Sequence, residues 1–589
     1  MNKRIIKKLS GAIKKRLRKI NLRQLPENMK MRWYWSKRYD FYLPPETFGC
    51  SKNRYNKQEI YKFSKNVKFS ILVPLYNTPE SFLKEMIGSV LFQTYKNWEL
   101  CLADGSDAEH NYVEKICKEI AEKDQRIKYQ KLEKNGGISK NTNVCIDMAT
   151  GEYISLFDHD DLLHPCALFE TMKAICEKDA DFVYTDEAVF QSPNVHNIND
   201  TMFKPDYSLY YFNSINYICH FSTFKRELLN KTGYYNLEMD GAQDFDLFLR
   251  ISEVTSKIYH IKKCLYYWRA SVSSTAGGLN SKNYALEAGR LALQKHFERI
   301  NIPAEVYVDK KTNLYRVNYF MSEKPLVSLI LINDDTVNMK DYITSLYKFS
   351  TYENIEVILV TNKENDLKIS FGEKVKTILC NQNYSQSMIR NYAAEKSNGD
   401  YFVFLDCSLK LLTNNWIEEL LMFAQLNNVG AVGGKIYYKY KKILNAGIIL
   451  DKKKCIKKSH KNYDRVENGY AYRLSTVQNY NAVSSECLMI SKKLFNEFHG
   501  FKVDYQNNLY DIDLCLRMRK EGFLIIWTPF VEFSYSKIKR ETQIKKEKKL
   551  FKVDWKKEIE KCDYYYNPNL SSKNADFKVT GEIFPEAAI

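Results

Sequence analysis

The chain has 589 residues, more than one hydrophobic core usually serves, so two large domains plus extensions are expected. With 44% hydrophobic and 14% aromatic residues against only 13 prolines and 22 glycines, the composition excludes a disordered chain. Its 14 cysteines stand singly, with no C-x-x-C pair, which excludes a disulfide or zinc framework and suits a reducing, cytoplasmic setting.

No apolar run reaches the roughly 18 residues of a spanning helix, and the charged N-terminus is not signal-like. The net charge of +18 is unevenly spread: residues 1–66 hold 19 Lys or Arg against four acids. This segment is read as a basic extension, and the rest of the chain is close to balance. Within it, Ile5, Ile6, Leu9, Ile13, Leu17 and Ile20 share one helical face ringed by lysine and arginine. Such a helix over residues 3–23 suits peripheral contact with the inner face of a membrane, and equally docking on its own protein. Aromatics follow at Trp33, Tyr34, Trp35 and Tyr39, but nothing else supports base stacking, so no nucleic-acid partner is expected.

Beyond the extension the pattern predicts strands at Phe69 to Pro74, Glu99 to Ala103, near Ile127 to Leu132 and at Tyr153 to Phe157, with helices between them. This βαβαβαβ order implies an α/β fold with a mostly parallel sheet, whose ligands bind at the carboxyl ends of the strands. Polar residues fall there: Tyr76 and Asn77, Asp104, then Asn135, Gly136 and Gly137, then Asp158. No G-x-G-x-x-G or G-x-x-x-x-G-K-S/T is present, which disfavours dinucleotide oxidoreductases, P-loop enzymes and nucleotidyltransferases with a Gly-rich phosphate loop.

The same plan recurs from Val327. T-G-E-Y-I-S-L-F-D at Thr150 to Asp158 parallels N-G-D-Y-F-V-F-L-D at Asn398 to Asp406. D-F-D-L-F-L-R at Asp244 to Arg250 parallels D-I-D-L-C-L-R at Asp511 to Arg517. A duplication jointed near Met321 to Pro325 accounts for both coincidences. It divides the chain into an extension (1–66), a first domain (67–320), a second domain (321–545) and a C-terminal tail (546–589).

The densest chemical signal is L-F-D-H-D-D, Leu156 to Asp161. Three carboxylates within four positions at the end of a buried strand repel one another and call for a cation. Mg²⁺ or Mn²⁺ meets that need, binding one or two carboxylates and filling its shell with water and diphosphate oxygens. An acidic turn or helix cap is the plain alternative.

Together with I-L-V-P-L-Y-N (Ile71 to Asn77), L-A-D-G-S (Leu102 to Ser106), N-G-G-I-S (Asn135 to Ser139) and G-A-Q-D-F-D-L-F-L-R (Gly241 to Arg250), these stretches resemble family 2 glycosyltransferases of the GT-A fold. The resemblance runs through both halves and is of the tandem two-domain type. It implies a nucleotide-sugar donor, with Pro74, Tyr76, Asp104, Asn135, Gly137 and Asp158 around the nucleotide and Asp104 reading the base. It implies Asp160 on the metal and Asp244 as the base that deprotonates an acceptor hydroxyl in an inverting transfer. The family's L-Y-H-W-R stretch reads L-Y-Y-W-R here, with Tyr267 in place of histidine, so a third metal ligand is unassigned. Arg269 is expected at the diphosphate.

The second half departs further: D-H-D-D becomes Asp406, Cys407, Ser408, a poor site for a hard cation, although Asp511 keeps the base position. A degenerate or acceptor-binding second domain is therefore expected. Three readings follow. The first is a transferase acting on a glycan or lipid-linked glycan acceptor in bacterial surface polysaccharide synthesis. The second is a bifunctional polymerase with both domains active, and the third a non-catalytic glycan-binding scaffold.

Overall fold

In the computed structural model, the described residues are 58 and 61–579, apart from 193–194, 196–197, 271–278, 322, 335, 365–373, 381–382, 536–544, 562 and 572. The amphipathic helix expected over residues 3–23 lies outside them. Among the described residues no helix is long and apolar enough to cross a membrane.

The first domain is built on nine strands: β1 (Phe69–Leu75), β2 (Trp98–Asp104), β3 (Ile127–Lys131), β4 (Tyr153–Leu156), β5 (Leu162–Leu163), β6 (Phe182–Gln191), β7 (Ile198–Met202), β8 (Thr223–Lys225) and β9 (Ile258–Ala270). Their order is β3-β2-β1-β4-β8-β6-β9-β5, with β7 beside β6. β3, β2, β1 and β4 are parallel, and β8 runs against its neighbours. The central strand β1, F-S-I-L-V-P-L, is apolar toward both faces, as a sheet covered by helices on both sides requires. Those helices are α1 (Glu80–Leu91), α2 (Tyr112–Lys123), α3 (Ile138–Met148), α4 (Ala167–Lys178), α5 (Gln243–Val254) and α6 (Leu279–Arg299). A hairpin, β10 (Ala304–Asp309) and β11 (Leu314–Tyr319), closes the domain against α6.

The second domain repeats the strand order of this sheet and adds three strands that have no counterpart in it. Its strands are β12 (Val327–Ile332), β13 (Ile355–Thr361), β14 (Val375–Leu379), β15 (Tyr401–Leu405), β16 (Leu409–Leu411), β17 (Val429–Tyr438), β18 (Lys442–Asn445), β19 (Ile448–Asp451), β20 (Cys455–Lys458), β21 (Gln478–Tyr480), β22 (Cys487–Ser491) and β23 (Leu524–Tyr535). The main sheet is ordered β14-β13-β12-β15-β22-β17-β23-β16, with β18 beside β17 and β21 beside β23, while β19 and β20 form a separate pair. Helices α7 (Met339–Phe349), α8 (Gln386–Glu395), α9 (Trp416–Ala424) and α10 (Tyr510–Lys520) accompany them.

The duplication extends to buried side chains. Ser70 Oγ donates to Glu99 at 2.7 Å and receives Gly151 N–H at 2.8 Å. Ser328 Oγ donates to Glu356 at 2.6 Å and receives Gly399 N–H at 2.9 Å. Both glycines are needed because a Cβ on Gly151 would lie 2.6 Å from the Lys68 carbonyl, and one on Gly399 2.8 Å from that of Leu326. Arg250 pairs with Asp246 and binds the Thr232 and Tyr234 carbonyls, tying the preceding loop to α5; Arg517 with Asp513 does the same on α10 through the Phe498 and Gly500 carbonyls.

The two domains share one core. Tyr210 and Tyr319 of the first meet Phe423 of the second edge-on at 5.7 and 5.5 Å. Ser208 Oγ and the Tyr210 N–H both donate to Asn479 Oδ1 across the junction. The segment read from sequence as a tail forms α11 (Lys545–Asp554) and then returns to the first domain, where Asn567 donates from its amide to both Asp186 oxygens, at 2.9 and 3.0 Å.

Candidate active site

Parallel β1, β2 and β4 end together, and register places Leu75 opposite Asp104, so the loops after these strands converge on one edge. There a cleft of about 430 Å³, counting its open mouth, is lined by Pro74, Ile138 and Thr142 on one side. Asp158, His220, Tyr235 and Asp244 line it on the other.

Asp158 keeps 42% of its side chain exposed and so faces the cleft. Burial alone would raise its carboxyl, but His220, 3.4 Å away, outweighs that and holds it below the usual carboxylate range. The His220 ring stacks on Tyr266 with centroids 4.6 Å apart, and its other nitrogen lies 3.3 Å from Glu187. Burial would lower the imidazole; Cys219, Asp158 and Glu187 together push it well above its ordinary value, so the ring carries positive charge beside the acids.

Asp160 lies two residues along the same loop and does not line the cleft itself. Burial first, then the charge of Asp158, raises its carboxyl. Asp161 points inward: it accepts from Tyr266 OH at 2.5 Å and from the Arg269 N–H at 2.6 Å, and is raised well above its ordinary value by burial and by both neighbouring acids. Among the described residues no three metal-binding side chains are gathered at coordinating distance. The donor set nonetheless fits a hard divalent ion. Asp161 is consumed, leaving two mutually repelling carboxylates in one loop, and Mg²⁺ or Mn²⁺ takes one or two such ligands and completes its shell with water and phosphate oxygens.

Asp244 stands in the first turn of α5 and accepts a 2.7 Å hydrogen bond from Tyr235 OH. Burial, reinforced by Asp158, pushes its carboxyl up to about 6, against the pull of Tyr235 and His220. A carboxylate titrating there can take a proton near neutral pH. Asp246, two positions on, is buried against Arg250 and is structural.

Several residues expected at the nucleotide are placed differently. Asp104 is fully buried, its oxygens receiving the Ser106 N–H, Tyr129 OH and the Lys131 ammonium; it organises the loop after β2 instead of presenting a carboxylate at its surface. Asn135 is exposed, and its side-chain oxygen accepts from the Gly137 N–H and the Asn141 amide. Gly137 has φ +88° and leaves no room for a side chain, since a Cβ would lie 2.7 Å from Asp240. Tyr76 is 47% exposed just beyond β1.

Arg269 is the clearest correction. Its guanidinium is fully buried between Phe82 and Phe190 and is engaged by Glu85, Ser192 and the Asp160 carbonyl, so no edge remains for a diphosphate. It holds the acidic loop in shape. Tyr267, at the position of the expected histidine, packs with Leu162, Ala188 and Phe190, while its neighbour Tyr266 reaches the acids from the opposite face of β9. His220, which sequence reasoning did not single out, supplies the imidazole from the turn before β8. C-H-F-S shows no motif, and only the register of β8 against β4 brings it to Asp158.

In the second domain the corresponding acids are spent internally. Asp406 accepts from the Ser408 N–H and Tyr535 OH. Asp511, 8% exposed, accepts from the Ser485 and Ile512 N–H groups at 2.7 and 2.9 Å.

Residues 70–233 and 333–494 each match Glycosyl transferase family 2, together more than half of the chain. The chain therefore belongs to glycosyl transferase family 2, as two tandem GT-A domains. It is 34% identical over 532 residues to the uncharacterized protein y4gI of Sinorhizobium fredii, covering 86% of this chain and 58% of that one. It is 28% identical over 484 residues to the O-antigen biosynthesis protein RfbC of Myxococcus xanthus, covering 80% of this chain and 37% of that one. The chain thus spans less than two thirds of either relative. Among solved structures, S. aureus TarS 1-349 in complex with UDP-GlcNAc aligns at 19% identity and TM-score 0.32, over 39% of this chain and 73% of that one.

Proposed function

We propose that the first domain transfers a sugar, with inversion, from a nucleotide-sugar donor to a hydroxyl of a glycan acceptor, and that the second domain does not catalyse transfer. The observation that carries this is the shared cleft of Asp158 and Asp244, with Asp244 poised at about 6. Asp244 accepts the acceptor's hydroxyl proton while that oxygen's lone pair forms the bond to the anomeric carbon. The bond from that carbon to the phosphate oxygen breaks, and its electron pair leaves with the nucleoside diphosphate. Asp160, with Asp158, would hold Mg²⁺ or Mn²⁺, which when bound neutralises charge on the departing diphosphate. Tyr235 fixes the Asp244 carboxylate, and Arg269 with Tyr266 fixes the acidic loop.

The relative described as an O-antigen biosynthesis protein, and a 29% match over 198 residues to a Pasteurella multocida chondroitin synthase, favour synthesis of a surface polysaccharide on a glycan or lipid-linked glycan. The bifunctional reading is disfavoured by Asp511, whose carboxylate is already occupied by backbone amides. A screen of nucleotide sugars for transfer and hydrolysis, with Mn²⁺, Mg²⁺ or chelator, tests the assignment on wild type and Asp160→Ala. Turnover surviving both chelation and the substitution overturns the metal, and absence of turnover with every donor overturns the activity.

A further inference from the structure

A second cavity, about 1010 Å³ with its open mouth, lies where three separate stretches of chain meet. Its enclosed space, about 460 Å³, is within the range of ligand pockets, about 300–1,000 Å³. The first domain contributes Lys178, at the end of α4, and Lys262 of β9; the second contributes Arg519 and Lys520 of α10; the C-terminal segment contributes Lys561 and Tyr564. Five cations thus face two acids, Asp206 and Glu558. Lys262 pairs with Asp206 at 2.8 Å and Lys520 with Glu558 at 3.6 Å. Lys178, Arg519 and Lys561 have no ion-pair partner among the described residues. Cations of one sign around a concave wall focus a positive potential into it.

The remaining lining is not that of a bare phosphate site. Leu450 and Leu516 form apolar wall, and the Tyr564 ring is 40% exposed. Asn481, buried to 1%, also borders the cavity. Apolar and aromatic faces suit the C–H face of a sugar ring, and the ammonium groups suit negative charge. Lys262 lies four residues before Tyr266, whose hydroxyl bonds Asp161 of the acidic loop, about 13 Å along the same strand at about 3.3 Å per residue. The cavity shares no lining residue with the donor cleft.

We infer that this junction cavity binds an anionic saccharide, a stretch of glycan carrying carboxylate or phosphate groups, at a second site distinct from the donor cleft. The inference rests on the proposed function only in expecting a sugar chain, and its test needs no turnover. The probe is a fluorescent hexasaccharide of alternating glucuronate and N-acetylglucosamine, titrated onto the full chain by anisotropy. Its carboxyl-reduced, neutral counterpart and inorganic pyrophosphate serve as comparisons. The charged probe binds, salt weakens it, and Lys178→Glu with Lys561→Glu weakens it at least tenfold, while donor hydrolysis and thermal unfolding of the double variant stay at wild-type values. Neutral and charged probes binding alike, unchanged binding by the double variant, no binding of the charged probe, or pyrophosphate binding as tightly as the hexasaccharide would each overturn it.

Discussion

Asp244 and Asp511 occupy the same turn of the same helix in two copies of one sheet, yet Asp244 lines a cleft while Asp511 is 8% exposed. The difference arises in the segment before the strand that flanks β4 or β15. In the first domain Cys219 and His220 leave Asp244 with a single tyrosine hydroxyl and set a charged imidazole against Asp158. In the second, Ser485 donates its N–H straight to Asp511, and Glu486, at the register position of His220, is tied to Asn445, Ser484 and Lys458. Likewise Thr361 stands where the first domain has Asp104. The same sheet order thus leaves this carboxylate at a cleft in one copy and held by backbone amides in the other.

The comparison breaks most sharply at the two bases. Asp244→Asn should reduce transfer about 10²–10⁴-fold, the range for loss of a general base. Asp511→Asn should stay within about threefold in rate while lowering thermal stability by about 1–3 kcal/mol through its orphaned amide partner. Radiolabelled-sugar transfer and a melting curve read the two effects, and equal loss of transfer in both variants would mean two active centres. Next in size, Asp160→Ala should lose on the order of 100-fold in transfer and its response to added Mn²⁺, while its counterpart Ser408→Ala changes neither.

A pH profile sharpens the assignment further. Because Asp244 must be ionised to accept a proton, kcat/KM should fall below about pH 6 and level off above it. Tyr235→Phe removes a hydrogen bond that favours the ionised form, so the acid limb should move to higher pH. A limb that stays in place would separate the tyrosine from the base. The smallest effects concern the scaffold that both halves share. Gly151→Ala and Gly399→Ala should each cost about 1–3 kcal/mol, because a methyl group meets the neighbouring backbone in both copies. Chemical denaturation checks whether the two losses match.

Much of the architecture was legible in the chain. Strands such as Phe69–Leu75 and Tyr401–Leu405 are short apolar runs bounded by polar loops, and the paired T-G-E-Y and N-G-D-Y stretches, with the repeated D-x-D-L, expose the duplication. The acids at 158, 160 and 244 were nameable because carboxylates at strand and helix ends stand out against apolar surroundings. Orientation was not legible. Whether Arg269 turns to a ligand or to Glu85 depends on a helix 184 residues away, and Asp104 is covered by Tyr129 and Lys131 of the next strand. His220 reaches Asp158 only through antiparallel register, which a linear pattern does not encode.

The amide of Asn567 clasping Asp186 has a consequence for synthesis. A ribosome has added more than three hundred further residues after Asp186 before that clasp can form. Until then the carboxylate has His260 and the Lys204 N–H as partners but not its last pair of hydrogen bonds. The nascent first domain therefore lacks these two bonds until Asn567 is made. Emergence of that residue, not completion of the first sheet, is what allows the clasp to form.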